Sequence, residues 1–505
     1  MDFKVQLIRN AENYPDKPAV IFEQSSISFC ELKEGSFKFA NHLVTSGIKK
    51  LDKITVFLPN NLEAVLSYLG VLSMGAAIVP LDFMLTQEEI IHFINHSESK
   101  VLITQPKKSI DLMQVKSSCP GLRQIIVCKE KIDGFLFWQE VLERSSTDAP
   151  SLSSRPGDLS SIFYTSGSTG HPKGVMLTYK HFDNPVRSMD YFLDLTNQDI
   201  ILCAGLPFSH VGGFDYLLVM LHLGSSMVLM ERFQPLELLK NIEKFKVTFL
   251  WMVPSLYIAI VSLKEYDKFD LLSLRYVIVF GAPSSPVLLK RFHTMCPNAH
   301  FINGWGMTET AAPNCYLPPG IDTIESIGKF TPGLEAKIVD EQGKTLSAGQ
   351  QGELWVKGEA VMAGYYKEPG LTAEVLTEDD WLKTGDIAKF DEQGLCYIVG
   401  RKKDMIKVSG EIVFSAEVEE KIHRHPKVKE VGVIGVADRL RGEVPKAFIV
   451  PKEGESIEVE EMRQFLKEHL AHFKLPHYFE FLSELPKNRA GKIDKHFLRK
   501  AGGQN

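Results

Sequence analysis

The chain carries no surplus of basic residues: 57 Lys+Arg face 63 Asp+Glu, for a formal net charge of −6. That balance excludes the basic footprint of a nucleic-acid binder. Cysteine is scarce, with 7 in 505 residues, at positions 30, 119, 128, 203, 296, 315 and 396. The number is odd and no CxxC or Cys/His ligand spacing occurs. A disulfide framework and a zinc site are therefore excluded, and a reducing, cytoplasmic compartment is expected. No basic segment followed by an apolar one opens the sequence, which starts Met1-Asp-Phe-Lys-Val-Gln6, so no secretory signal is expected. One uncharged run, Ala64 to Leu81, is long enough to raise the question of a membrane span. Gly70, Gly75 and Pro80 interrupt it, Ser67 and Ser73 lie inside it, and Glu63 and Asp82 bound it closely. A buried helix running into a buried strand at Ala76–Leu81 is expected instead, with no transmembrane segment. Repeats and low-complexity tracts are absent.

At this length one hydrophobic core does not suffice, and the texture of the sequence changes twice. Over roughly the first three hundred residues, short apolar runs at Ile54–Leu58, Lys100–Thr104, Gln124–Cys128, Val247–Trp251 and Tyr276–Phe280 alternate with helical stretches. Such runs predict parallel sheets covered on both faces. Short strands and turns then follow at Glu335–Asp340, Gly352–Lys357 and Cys396–Val399. Beyond Gly400-Arg-Lys-Lys-Asp404 comes a compact unit with helices at Ser415–His423 and Glu458–Ala471 and strands at Val428–Val436, Val444–Val450 and Tyr478–Leu482. The expected fold is α/β. A large N-terminal domain, residues 1–403, has parallel and mixed sheets covered by helices and a small β-rich subdomain near 325–400; a small α+β C-terminal domain, residues 404–505, follows. The short charged junction predicts a hinge rather than a tether.

The most informative segment is Tyr164-Thr-Ser-Gly-Ser-Thr-Gly-His-Pro-Lys-Gly174. Its glycines let the backbone approach a ligand, its Ser and Thr residues offer N–H and O–H donors, and Lys173 adds a cation. Thr165, Ser166, Gly167, Ser168, Thr169, Gly170 and Lys173 thus form a candidate phosphate cradle. It is not a Walker A loop, because Pro172 stands where that motif needs glycine. A second cluster is Asn303-Gly-Trp-Gly-Met-Thr-Glu-Thr310. Trp305 offers a flat ring to a purine, the glycines allow close approach, Thr308 supplies a hydroxyl, and Glu309 supplies a hard oxygen ligand for Mg²⁺.

These segments resemble the signatures of the acyl-adenylate-forming superfamily, and within it the acyl-CoA synthetase and fatty-acid–CoA ligase branch. The resemblance runs through nearly the whole chain. It implies an ATP-dependent acid–thiol ligase that forms acyl-AMP and then acyl-CoA, with ATP and CoA as substrates and Mg²⁺ as cofactor. It places Gly281, Ala282 and Pro283 against adenine, with Asn303, Gly304, Trp305, Gly306, Met307 and Thr308 completing the nucleotide site. Relatives usually carry Tyr where Trp305 stands. Asp386, in Thr384-Gly-Asp386, and Arg401 are the implied ribose contacts, and Asp404 the hinge of a mobile C-terminal domain. Lys492, in Leu485-Pro-Lys-Asn-Arg-Ala-Gly-Lys492, is the implied catalytic lysine of the adenylation step, with Thr308 and Glu309 beside it. His210 is the implied gate between acyl and thiol channels, and Ser409, Gly410 and Glu411 the loop that turns inward for thioester formation.

The acid itself is not legible. A medium- or long-chain fatty acid is the favoured reading, with an aryl acid of the cinnamate or benzoate type, or a carrier protein as the thiol acceptor, as alternatives. The pocket is expected near His210–Tyr216, Phe280 and Trp305–Ala312, with Gly212, Gly213 and Gly304 leaving room for a tunnel. Oligomeric state is left open, a homodimer included.

Overall fold

A computed structural model of the chain describes residues 1–165, 172–263, 268–281, 291–321, 323, 325–409, 411–487 and 492–502. Apolar β-branched runs form the inner strands of two large sheets. In the first, Gln124–Val127, Val101–Thr104, Lys53–Phe57, Ala77–Pro80 and Leu159–Thr165 are neighbouring parallel strands, closed at one edge by the antiparallel Lys173–Thr178. In the second, His300–Trp305, Tyr276–Val279, Phe249–Met252, Ile200–Cys203, Ser226–Leu229 and Pro18–Phe22 run parallel, with short antiparallel strands at both edges. The inner strands Val101–Thr104, Ser226–Leu229, Phe249–Met252 and Tyr276–Val279 are buried at every residue, on both faces.

The uncharged run resolves into the helix Leu62–Ser73, capped by the Asn61 side chain, and the buried strand Ala77–Pro80. No helix among the described residues is long and apolar enough to cross a membrane. The β-rich segment is a four-stranded antiparallel sheet of Leu334–Val339, Gly352–Gly358, Leu382–Phe390 and Cys396–Arg401.

After a one-turn 3₁₀ helix at Lys402–Asp404, the remaining strands form a separate sheet with its own apolar cluster around Ile406, Val433, Ile449 and Leu466. The helix Ser415–His423 lies where the sequence puts it. The helix expected at Glu458–Ala471 spans only Val459–Lys467. Glu458 is its N-cap, and the chain leaves the helix ahead of a 3₁₀ turn at His472–Lys474 and Pro476, which disfavours a helical residue before it.

Candidate active site

Parallel strands expose the loops at their carboxyl ends to one side of a sheet, where ligands bind in open α/β folds. Four predicted site segments leave such ends: Thr165 ends Leu159–Thr165, Gly281 follows Tyr276–Val279, Trp305 ends His300–Trp305, and His210 follows Ile200–Cys203. Thr165 faces Lys173 across the hairpin, so the two ends of the Ser/Gly-rich segment are held side by side. Ser166, Gly167, Ser168, Thr169 and Gly170, with Ala282, Pro283 and Gly410, lie outside the described residues.

Asp386 and Arg401 are register partners on neighbouring strands of the four-stranded sheet. Arg401 Nε donates to Asp386 Oδ1 at 2.7 Å, and Trp305 Nε1 donates to Asp386 Oδ2 at 2.9 Å. Asp386 is buried, and its charge holds the Arg401 guanidinium above its ordinary pKa. Trp305 thus supplies a ring N–H donor at the position where relatives usually carry Tyr. Its ring is only 8% exposed and meets Phe330 edge-on with centroids 5.5 Å apart, so little of its face is open for stacking.

Glu309 lies in the 3₁₀ turn Thr308–Thr310, next to the buried Thr308. The hydroxyl of Tyr365 donates to Glu309 Oε1 at 2.9 Å, and the Lys173 ammonium sits 5.0 Å from the centroid of the same ring. Burial, and then the Glu309 carboxylate, push the Tyr365 phenol well above its usual range. Sequence reasoning missed Tyr365. Its signal is faint: a Gly-Tyr-Tyr step at 364–366 outside any periodic apolar run.

Lys492 adjoins the isolated bridge between Lys487 and Ile493 in the C-terminal unit. It lies against Gly281, where an added Cβ would stand 3.4 Å from its Cε and 3.5 Å from its Nζ. Gly281 has φ +86°, a left-handed conformation that favours glycine. Burial, and the neighbouring Arg401 and Lys403, push the Lys492 ammonium down to about 8, although Asp386 acts against them. His210 keeps exposed surface as the N-cap of the Val211–Leu223 helix, while desolvation by the protein packed around its loop, and then Lys492, hold its imidazole below the usual range. Lys492, Gly281, Asp386, Arg401 and His210 thus surround one region although they come from three sheets.

Other predicted residues stand apart. Ser409 and Glu411 are exposed at a tight turn, where Ser409 donates its N–H to the Arg441 carbonyl at 2.7 Å. Asp404 is tied to Arg499 at 2.5 Å. Burial pushes the Asp404 carboxyl up, but Lys495 and Arg499 outweigh it and the pKa is lowered. The glycines expected to leave room for a tunnel do something else. An added Cβ at Gly213 would lie 2.1 Å from the Pro207 carbonyl oxygen, and one at Gly212 would lie 3.0 Å from Phe280. Both let the Val211–Leu223 helix pack closely against its own entry loop and Phe280. At Gly304 an added Cβ would make only ordinary contact, 3.5 Å from the Cys315 carbonyl oxygen on the neighbouring strand.

No group of three His, Cys, Asp or Glu residues among the described residues forms a metal cage. Glu309, with Tyr365 on one oxygen only, fits a Mg²⁺ ion that takes its other ligands from phosphate and water, as Mg²⁺ usually does.

A family model described as AMP-binding enzyme matches residues 7–366, and one described as AMP-binding enzyme C-terminal domain matches residues 417–492. The chain is 31% identical over 529 residues to the long-chain-fatty-acid–CoA ligase of Bacillus subtilis, covering 99% of this chain and 94% of the relative. It is 32% identical over 515 residues to the 2-succinylbenzoate–CoA ligase of Bacillus licheniformis, covering 99% and 100%. The crystal structure of an anthranilate CoA ligase in complex with anthranoyl-AMP superposes with a TM-score of 0.93 at 27% identity, covering 99% of this chain and 97% of that one.

Proposed function

The chain belongs to the AMP-binding enzyme family and is an ATP-dependent, AMP-forming acid–CoA ligase; from that premise we propose that its acid is a medium- or long-chain fatty acid. The observation that carries the site assignment is the meeting of Lys492 with Gly281, Asp386 and Arg401. A lysine from the last segment of the chain supplies charge where the acid's carboxylate meets the α-phosphate.

In this reading the Thr165–Lys173 hairpin holds the triphosphate, and Asp386 and Arg401 take the ribose. Thr308 donates to the α-phosphate. Glu309 would hold Mg²⁺, which when bound offsets phosphate charge. Positioning and charge neutralisation do most of the work, since phosphoryl and adenylyl transfer ask for little covalent help from the protein. The domain after Asp404 then swings, Lys492 withdraws, and Ser409 to Glu411 come to the site while His210 opens the way for the thiol. The present pose, with Lys492 inside and Ser409 and Glu411 exposed, suits the first half-reaction.

A fatty acid is supported by the segments expected to line the pocket. Val211–Leu223 and Asn303–Thr310 contain no Lys or Arg to receive a second carboxylate, and the helix is buried over most of its length. The likeness to a structure holding anthranoyl-AMP favours an aryl acid as the second reading. The unpaired state of all seven cysteines supports a reducing compartment such as the cytoplasm. A panel of fatty acids of graded length, cinnamates and benzoates, scored by CoA-dependent AMP release, decides. Highest kcat/KM on an acid of eight or more carbons is expected, and preference for an aromatic acid overturns the proposal.

A further inference from the structure

Asp215 lies in the Val211–Leu223 helix, fully buried, and neither carboxylate oxygen has a hydrogen-bond partner among the described residues. Burial pushes its pKa well above the carboxylate range. Burial favours the neutral acid, which has one O–H to donate and a carbonyl to accept. The Tyr316 hydroxyl is also fully buried, has no hydrogen-bond partner among the described residues, and lies near enough to feel Asp215 electrostatically. Unpartnered polar groups are among the costliest things a core can hold, and each calls for a reason.

Their place in the fold supplies one. Asp215 follows Gly212 by three residues and so shares its helix face. Gly212 packs on Phe280, the residue preceding the Gly281 that touches Lys492. Tyr316 is the strand partner of Gly304, and its ring lies 3.8 Å from where a Gly304 Cβ would stand. The pair thus sits behind the two segments that the ligase reading sets around the acyl-adenylate. Five residues of helix separate His210 from Asp215, about 7–8 Å of rise, which is roughly the reach of a six-carbon chain.

We propose that Asp215 and Tyr316 line the acyl pocket about six carbons from the carboxylate and select an acid that bears a hydroxyl group partway along its chain. A hydroxyl both donates and accepts, which matches a neutral carboxyl beside a phenol; an ammonium would require the carboxyl to ionise in an apolar site. Both groups are fully buried, so an acyl chain that reaches them must displace the side chains packed around them. The inference rests on the ligase reading and narrows its substrate.

The test uses the full-length enzyme in ATP–pyrophosphate exchange. Hexanoate, octanoate and decanoate are compared with their mid-chain and terminal hydroxy counterparts in wild type, Asp215→Leu and Tyr316→Phe. Wild type is expected to favour one hydroxy acid over its parent by tenfold or more in kcat/KM. Each variant should bring that ratio to one or below while keeping activity on the parent acid. The melting temperature of Asp215→Leu should rise, because an unpartnered polar group leaves the core; a purely structural aspartate would make it fall. Preference of wild type for every parent acid, an unchanged ratio in Tyr316→Phe, or better activation of terminal amino acids than of hydroxy acids overturns the inference while exchange persists. Absence of exchange with every acid overturns the ligase reading with it.

Discussion

Asp386 accepts from Trp305 and Arg401, so its carboxylate is oriented before a nucleotide arrives. Lys492 is a cation near two others, Arg401 and Lys403, with Asp386 acting in its favour, and an incoming anion would offset their repulsion. Replacing Lys492 with Ala should slow acyl-AMP formation by about 10²–10³-fold, the scale of a lost transition-state donor. Thioester formation from supplied acyl-AMP should be spared. Equal loss in both half-reactions counts against the assignment. The lysine must be protonated to act, and its pKa is lowered to about 8, so kcat/KM for ATP should fall as pH rises through that value. Lys492→Arg should move the limb out of reach, because guanidinium stays charged; a limb that stays in place assigns it to another group. Tyr365→Phe leaves Glu309 without its orienting hydroxyl. The Mg²⁺ concentration needed for half-maximal exchange should rise by about 10–100-fold, as for other groups that orient metal ligands, and an unchanged Mg²⁺ dependence separates Tyr365 from metal binding.

Among the elements, the Val211–Leu223 helix is the one the proposed acid pocket depends on most. Its N-cap is His210, its first turn is packed by Gly212 and Gly213, and the carbonyl of Gly212 accepts from Trp251 Nε1 at 3.0 Å. The helix cannot approach its entry loop if residue 213 has a side chain. Gly213→Ala should therefore cost about 1–3 kcal/mol of stability, the usual penalty for overpacking. The KM for the acid should rise more than the KM for ATP. Unchanged denaturation and KM values would mean that the Leu206–Pro207 backbone yields without cost.

For the whole molecule, the pose with Lys492 inside carries an electrostatic cost. An ammonium whose pKa drops on entry is penalised in full below about 8, and the penalty fades as pH rises towards 10.5, its ordinary value. In the absence of nucleotide, raising the pH through that window should populate the closed pose. Fluorescence transfer between labels on the two domains would read this. ATP, whose phosphates add negative charge beside the lysine, should hold the pose closed already at pH 7. A domain distance indifferent to both pH and ATP would remove Lys492 from the control of closure.

Local patterning was enough to establish the alternation of strands and helices, the helix at Ser415–His423, the Ser/Gly-rich segment after Leu159–Thr165 and the break at Lys402–Asp404. Each depends on residues close in sequence, through periodicity, capping and turn chemistry. The pairing of Tyr365 with Glu309, of Trp305 with Asp386, and of Lys492 with Gly281 was decided by tertiary structure alone. So was the packing role of Gly212 and Gly213, which sequence reading took for open space, and the isolation of Asp215 beside Tyr316. The physical reason is common to all of them. Contact between distant residues depends on which strand ends become neighbours, and that order follows from how whole sheets bury their faces rather than from the residues at the ends.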